Sequence, residues 1–172
     1  CTTIDVLGEE INSMSEANFF VEEYESVINA IAKDNLNANI SIKPTAFGLL
    51  LDHEKGLENI SRICKLASEH DMFVRLDMED HRVTQETINV VSEMHSRGFK
   101  NVGCVLQSRL FRTKQDIIDM CENLEGNADF RLCKGIYLEP SEICIPIKYG
   151  LSNSFIASIP HLNSFILLKT SK

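Results

Sequence analysis

The sequence predicts an α/β fold on a parallel sheet, a partial (β/α)8 TIM barrel with about five of its eight βα units. Three observations carry this prediction. Five short apolar segments alternate with four longer ones whose apolar residues recur at helical spacing, the pattern of a parallel α/β sheet. The short segments read as continuous apolar runs, as strands covered on both faces do. Lys43, Asp77, Gln107 and Lys134 stand at or just past the C-terminal ends of four consecutive strands, the edge where such barrels build their sites. One polar residue there is an ordinary loop solubiliser, whereas four on consecutive strands converge on one pocket. An open doubly wound sheet would need a glycine-rich phosphate loop after its first strand, and Gly8–Glu9 does not supply one.

Thr2–Leu7 reads as the first strand. Ser13-x-x-Glu16 is a capping-box pattern ahead of Phe20, Tyr24, Val27, Ile28 and Ile31, an apolar stripe at helical spacing. After a polar loop, Ile40–Lys43 forms the second strand, stopped by Pro44, which has no N–H to donate. Leu57, Ile60, Ile63, Cys64 and Ala67 mark the second helix, ending near His70, and Met72–Leu76 the third strand. Val83, Thr87, Val90, Val91 and Met94 mark the third helix, closed by Arg97 and the C′ glycine Gly98. Asn101–Leu106 is the fourth strand, leading to Gln107. Thr113-x-x-Asp116 resembles a second capping box, Gly126 ends that helix, and Phe130–Cys133 is the fifth strand. Past it, Arg131–Pro140 holds two cations, a glycine, an aromatic and an acid-proline stop. Cations beside backbone N–H groups freed by a glycine suit an anionic or electron-rich ligand.

At 172 residues and 44% apolar the chain can bury one sizeable core. A net charge of −8 argues against a nucleic-acid surface. No charged-then-apolar leader and no apolar run of about 18 residues is present in the sequence. The six cysteines include no C-x-x-C pair, which predicts reduced, buried thiols and neither a metal site nor a disulfide framework. Residues 1–143 hold all 25 acidic residues and 14 of the 17 Lys and Arg, whereas 144–172 hold three lysines and no acid.

Ser41–Ile42–Lys43, Leu76–Asp77–Met78–Glu79–Asp80–His81, Val102–Gly103–Cys104–Val105–Leu106–Gln107 and Arg131–Leu132–Cys133–Lys134–Gly135–Ile136–Tyr137 resemble, in order and spacing, successive motifs of proline dehydrogenase, in its bacterial stand-alone form. The resemblance covers about residues 3–143 and implies an FAD-dependent barrel. Such an enzyme oxidises L-proline to Δ1-pyrroline-5-carboxylate by hydride transfer from C5, in proline catabolism, and passes electrons to a quinone. It implies that Lys43 meets the substrate carboxylate, as a compact ammonium can. Asp77 and Arg131 are the implied catalytic pair, Arg131 being a permanent cation beside flavin N5 that tunes the cofactor. Met78, Gln107, Lys134, Gly135 and Ile136 are the implied FAD contacts, with Tyr137 packing near them. A quinone acceptor implies a cytoplasmic enzyme peripheral to the inner membrane, or a mitochondrial one in a eukaryote. Two other readings stay open: another flavin barrel, such as a methylenetetrahydrofolate reductase relative, and a non-catalytic degenerate fragment.

The departures are as specific. Cys144–Lys172 is rich in Ser, Asn, Ile and Phe and lacks an amphipathic stripe. The expectation is a barrel-like unit over 1–143 and a non-family tail over 144–172, frame-shifted or disordered, from a truncation near Ile143. The start at Cys1 likewise suggests sequence missing upstream. The family's late arginine pair for the proline carboxylate and its adenine-binding segment have no counterpart. The chain alone is therefore expected not to turn over proline.

Overall fold

The computed structural model describes residues 1–146. Strands β1 (Thr2–Asp5), β2 (Ala38–Ile42), β3 (Val74–Leu76), β4 (Val102–Gln107) and β5 (Phe130–Cys133) alternate with helices α1 (Met14–Lys33), α2 (His53–Ser68), α3 (His81–Ser96) and α4 (Thr113–Asn123). All four neighbouring pairs are parallel and the order is β1-β2-β3-β4-β5. Right-handed crossovers between sequential neighbours give this order, and the sheet curls into a half-barrel.

Local chemistry sets most helix starts. The Ser13 side chain accepts from the Glu16 N–H, as the capping box predicts, and its hydroxyl also donates to the Glu16 carboxylate. Asp52 and Asp80 cap α2 and α3 through the N–H groups of Lys55 and Arg82. The second predicted box does not form. Arg112 is the N-cap of α4 without a side-chain cap bond. The Thr113 hydroxyl instead donates to the Gln107 carbonyl at 2.5 Å, and Asp116 is turned toward the Arg112 guanidinium. A 3-10 turn over Pro44–Phe47, absent from the sequence reading, follows β2. Gly48 closes it with φ of 91°, a conformation that favours glycine.

The two faces of the sheet differ, which corrects the reading of the strands as continuous apolar runs. Register aligns Ile4, Ile40, Val74 and Val102 in one row and Ile42, Leu76, Cys104 and Phe130 in another. These residues pack with Ile28, Ile60, Ile63, Val91 and Met94 of the helices into one core. The row between them is Asp5, Ser41, Arg75 and Gly103. Successive residues of a strand face opposite sides, so this polar row lines the lumen. Gly103 is required there. A Cβ at this position would lie 2.9 Å from Arg75 Nη1 and 2.4 Å from the Asp129 carbonyl. Its absence lets Arg75 cross β4 to the Asp129 carboxylate at 2.6 Å, with the guanidinium over the Phe73 ring.

After β5 the chain crosses back over the C-terminal edge. Leu110 and Cys144 form an antiparallel bridge, and Cys144 is buried. The first residues of the expected tail are thus packed; its part from residue 147 onward lies outside the described residues. All six cysteines are free, and burial pushes the Cys64 and Cys104 thiols up to about 12, so neither is a thiolate nucleophile at neutral pH.

Candidate functional site

The same register explains why the predicted residues meet. Ile42, Leu76 and Cys104 are aligned, so the next residues, Lys43, Asp77 and Val105, share the following row, and Val105 is paired with Arg131. One lumen row therefore carries Lys43, Asp77 and Arg131, and the row above it carries Gln107 opposite Cys133.

Within that row the charges pair. Arg131 Nη2 donates to Asp77 Oδ1 at 2.5 Å, and the Ser41 hydroxyl donates to the same oxygen at 2.6 Å. Arg131 Nε is buried without a hydrogen-bond partner among the described residues. Lys43 binds Asp5 Oδ2 at 2.8 Å rather than Asp77. Burial alone would lower the Lys43 pKa. The Asp5 hydrogen bond and charge, helped by Asp77 and Glu9, outweigh it and raise the value.

Gln107 is buried at the end of β4. Its amide donates to the Glu79 carbonyl at 2.7 Å, while Oε1 has no hydrogen-bond partner among the described residues. Gly135, with φ of 93°, lies against that oxygen, and a Cβ there would sit 2.3 Å from it. Met78 is buried beside this edge. Lys134 is exposed, and Ile136 is 83% exposed. Neither side chain is drawn into the cluster of Asp77, Arg131 and Gln107.

Several groups at this edge were missed in the sequence. Glu79 is buried and accepts from both the Thr45 hydroxyl at 2.5 Å and the Thr45 N–H at 3.1 Å. Burial raises its pKa against the opposing effect of those donors. Beside it lies a cavity of about 20 Å³, lined by Glu9, Thr45 and Tyr137 among others, room for a single water. Tyr137 closes that side by donating to Glu9 at 3.0 Å, and His81 meets the fully buried Glu139 carboxylate at 2.6 Å. Arg109 anchors the returning segment. Its guanidinium donates to the carbonyls of Tyr137 at 2.7 Å and Ile145 at 3.1 Å and to Cys144 Sγ. Its stem packs under Gly135. One signal for Asp5, Ser41 and Arg75 was present: each lies in the lumen row just below that of the predicted strand-end residues.

The arrangement is a permanent cation braced by a carboxylate, an ammonium with donors to spare, and an orphan buried acceptor, all on one sheet edge. It can bind an anion and hold a polar planar edge. It contains no activated nucleophile and, among the described residues, no group of metal ligands.

The family model for proline dehydrogenase matches residues 1–151. Proline dehydrogenase 1 of Bacillus subtilis (strain 168) is 37% identical over 155 residues, which is 90% of this chain and 50% of that protein. Proline dehydrogenase of Deinococcus radiodurans is 32% identical over 156 residues, 88% of this chain and 49% of that protein. The chain thus spans about half the length of the curated relatives it matches. A crystal structure of proline utilization A from Bdellovibrio bacteriovorus, inactivated by N-propargylglycine, superposes with a TM-score of 0.69 at 26% identity, covering 78% of this chain and 17% of that one. A proline utilization A mutant from Bradyrhizobium japonicum shares the fold at a TM-score of 0.66 and 21% identity, covering 78% of this chain and 16% of that one.

Proposed function

Because the chain belongs to the proline dehydrogenase family, we propose that it carries the β1–β5 share of a site that binds FAD and L-proline and oxidises the proline to Δ1-pyrroline-5-carboxylate, with a quinone as electron acceptor. Family membership sets aside the methylenetetrahydrofolate reductase reading. The observation that carries the proposal is the Ser41–Asp77–Arg131 cluster facing the orphaned Gln107 Oε1 across one lumen edge.

The residues fit a flavin. Gln107 Oε1 is a buried acceptor without a donor among the described residues, suited to a ring N–H, and the missing Cβ of Gly135 lets the Gln107 amide and the Arg109 stem pack against the backbone there. Bound FAD would supply the hydride acceptor for proline C5. The chain's own contribution is binding and electrostatics. Arg131 stays charged at any working pH, and its brace to Asp77 fixes the direction of the guanidinium fork. Ser41, 2% exposed, fixes Asp77 in turn. Lys43 gives one of its three donors to Asp5, leaving two for a substrate carboxylate. Tyr137, tied to Glu9, shields that side from water. Lys134 and Ile136 are proposed as cofactor contacts from the outer side of the mouth. No described helix is long and apolar enough to cross a membrane, and peripheral contact with a quinone-bearing membrane is part of the proposal. So are the division at residue 143 and the inability of the chain alone to turn over proline.

The test is visible absorbance of the purified 172-residue chain titrated with FAD, beside Arg131→Met and Gln107→Ala. Proline and a dye acceptor are then added to each. Flavin binding that weakens at least about tenfold, or about 1.4 kcal/mol, in both variants supports the proposal. Equal flavin binding by all three favours the non-catalytic reading, and proline turnover by the chain alone overturns its proposed inability to do so.

A further inference from the structure

We propose that Tyr24 is a positioning residue for Lys43, acting from α1 through Asp5, an inference that rests on the reading of Lys43 as the cation for the substrate carboxylate. Tyr24 lies on the buried face of α1 with Ala17, Phe20, Val21, Ile28 and Ile31, and is the polar member of that set. Its ring packs on Phe47 with centroids 5.5 Å apart, within the turn that begins directly after Lys43. A phenylalanine would fill this space equally well, so core packing does not account for the hydroxyl.

The hydroxyl is fully engaged. It accepts from the Val6 N–H at 3.1 Å, and its single proton lies between Asp5 Oδ1 at 2.9 Å and the Ser41 carbonyl at 2.6 Å. Asp5 Oδ2 holds the Lys43 ammonium at 2.8 Å. Each Asp5 oxygen thus has one partner, the tyrosine on one side and the lysine on the other. Burial keeps the phenol protonated far above its ordinary range, so it donates at every accessible pH. A lysine ammonium rides on a flexible four-carbon stem; Asp5, oriented by Tyr24, gives it one defined place in the lumen row. The charges of Asp5 from β1, Glu9 from the following loop and Asp77 after β3 raise the pKa of that ammonium, and the Glu79 carboxylate interacts with it as well.

The experiment is a titration of the Lys43 ammonium by NMR in the full chain with 13C-labelled lysine. Lys43→Gln assigns the resonance, and the parent is compared with Tyr24→Phe and Asp5→Asn. The midpoint is expected to fall by about one pH unit in Asp5→Asn, the size of a lost neighbouring charge. Tyr24→Phe should lower it by part of that, with an unchanged far-UV circular dichroism spectrum. A parental midpoint in Tyr24→Phe overturns the proposal. If Tyr24→Phe does not fold, the Tyr24 13Cζ resonance in Lys43→Gln and Asp5→Asn decides. Displacement in both supports the relay, because coupling between sites is reciprocal, and constancy in either overturns it. Proline binding by Lys43→Gln is read separately. Parental binding there would remove the role given to Lys43, while the titration still reports whether Tyr24 positions it.

Discussion

Leu76 and Asp77 are joined by one peptide bond and belong to opposite halves of the molecule. Leu76 is completely buried between sheet and helices, aligned with Ile42 and Cys104. Asp77 turns to the lumen and holds Arg131 and Ser41. The contrast repeats along the sheet, with Ile42 beside Lys43 and Leu106 beside Gln107. One face therefore stabilises the chain and the other is free to carry charge, and the period-two geometry of a strand keeps them apart. A loss of volume on the outward face is therefore expected to cost more stability than a loss of charge on the lumen face.

The largest expected effect comes from the outward face. Leu76→Ala should destabilise the chain by about 2–5 kcal/mol, the range for truncating a fully buried leucine. Urea unfolding checks this, with flavin affinity unchanged wherever the variant remains folded. A loss below about 0.5 kcal/mol, the size of a surface change, would break the division between the faces.

The sequence showed this division only in part. Strand existence, order and helix spacing were legible because each depends on local pattern. The alternation Ile40–Ser41–Ile42 or Val74–Arg75–Leu76 is equally local, yet it passed as an apolar run because the polar members are flanked closely by aliphatic ones. Of the predicted edge residues, Lys43, Asp77 and Gln107 share the lumen edge with Arg131, since strand ends in a curled parallel sheet must, while the exposed Lys134 side chain stays outside the cluster. Their partners were not legible. Asp5 meets Lys43 and Tyr24 meets Ser41 across 38 and 17 residues, and nothing local marks Tyr24 as different from the apolar residues of its stripe. Arg109 escaped for the same reason, because its partners lie on a segment 28 to 36 residues away. The Thr113 box failed because Arg112 is the N-cap, which puts Thr113 inside the first turn of the helix, where its hydroxyl donates to the carbonyl ending β4.

Gly135 sharpens the comparison at the mouth. Gly135→Ala forces a left-handed alanine, which costs about 1–2 kcal/mol, and sets its Cβ against Gln107 Oε1 and the Arg109 stem. The cost should appear locally, as faster proteolysis within residues 134–146 and weakened flavin binding, with a smaller change in global stability. A global loss as large as that of Leu76→Ala would place Gly135 with the core rather than with the mouth.

Asp77→Asn is the counterpart of Leu76→Ala one residue away. Arg131 is 38% exposed and Asp77 20%, so breaking the pair should cost about 1 kcal/mol or less in stability. The uncompensated guanidinium should nevertheless alter the visible spectrum and affinity of bound flavin. A flavin spectrum identical to the parent's would detach Asp77 from the proposed site.

Glu79 is the exception that tests whether the mouth is free of any stability role. The residue is 4% exposed, its carboxylate is held among the described residues by Thr45, and its pKa is raised chiefly by burial. The folded chain therefore holds the Glu79 proton more tightly than the unfolded chain does. Unfolding free energy from this group is greatest below the ordinary carboxylate value of 4.5. It is lost as pH rises through the raised folded value, since stability falls with pH wherever the native state binds more protons. Glu79→Gln keeps the shape and removes the titration. It gives up one acceptor facing Thr45 but also the buried charge, so near neutral pH the two proteins should agree within about 1 kcal/mol, one net hydrogen bond. Paired urea titrations from acid to neutral pH isolate the group, because carboxylates common to both proteins cancel in the difference. Parent minus variant should grow more positive as pH falls. A flat or opposite trend would mean that Glu79 stays ionised in the folded chain, stabilised by the two Thr45 donors more than burial disfavours it.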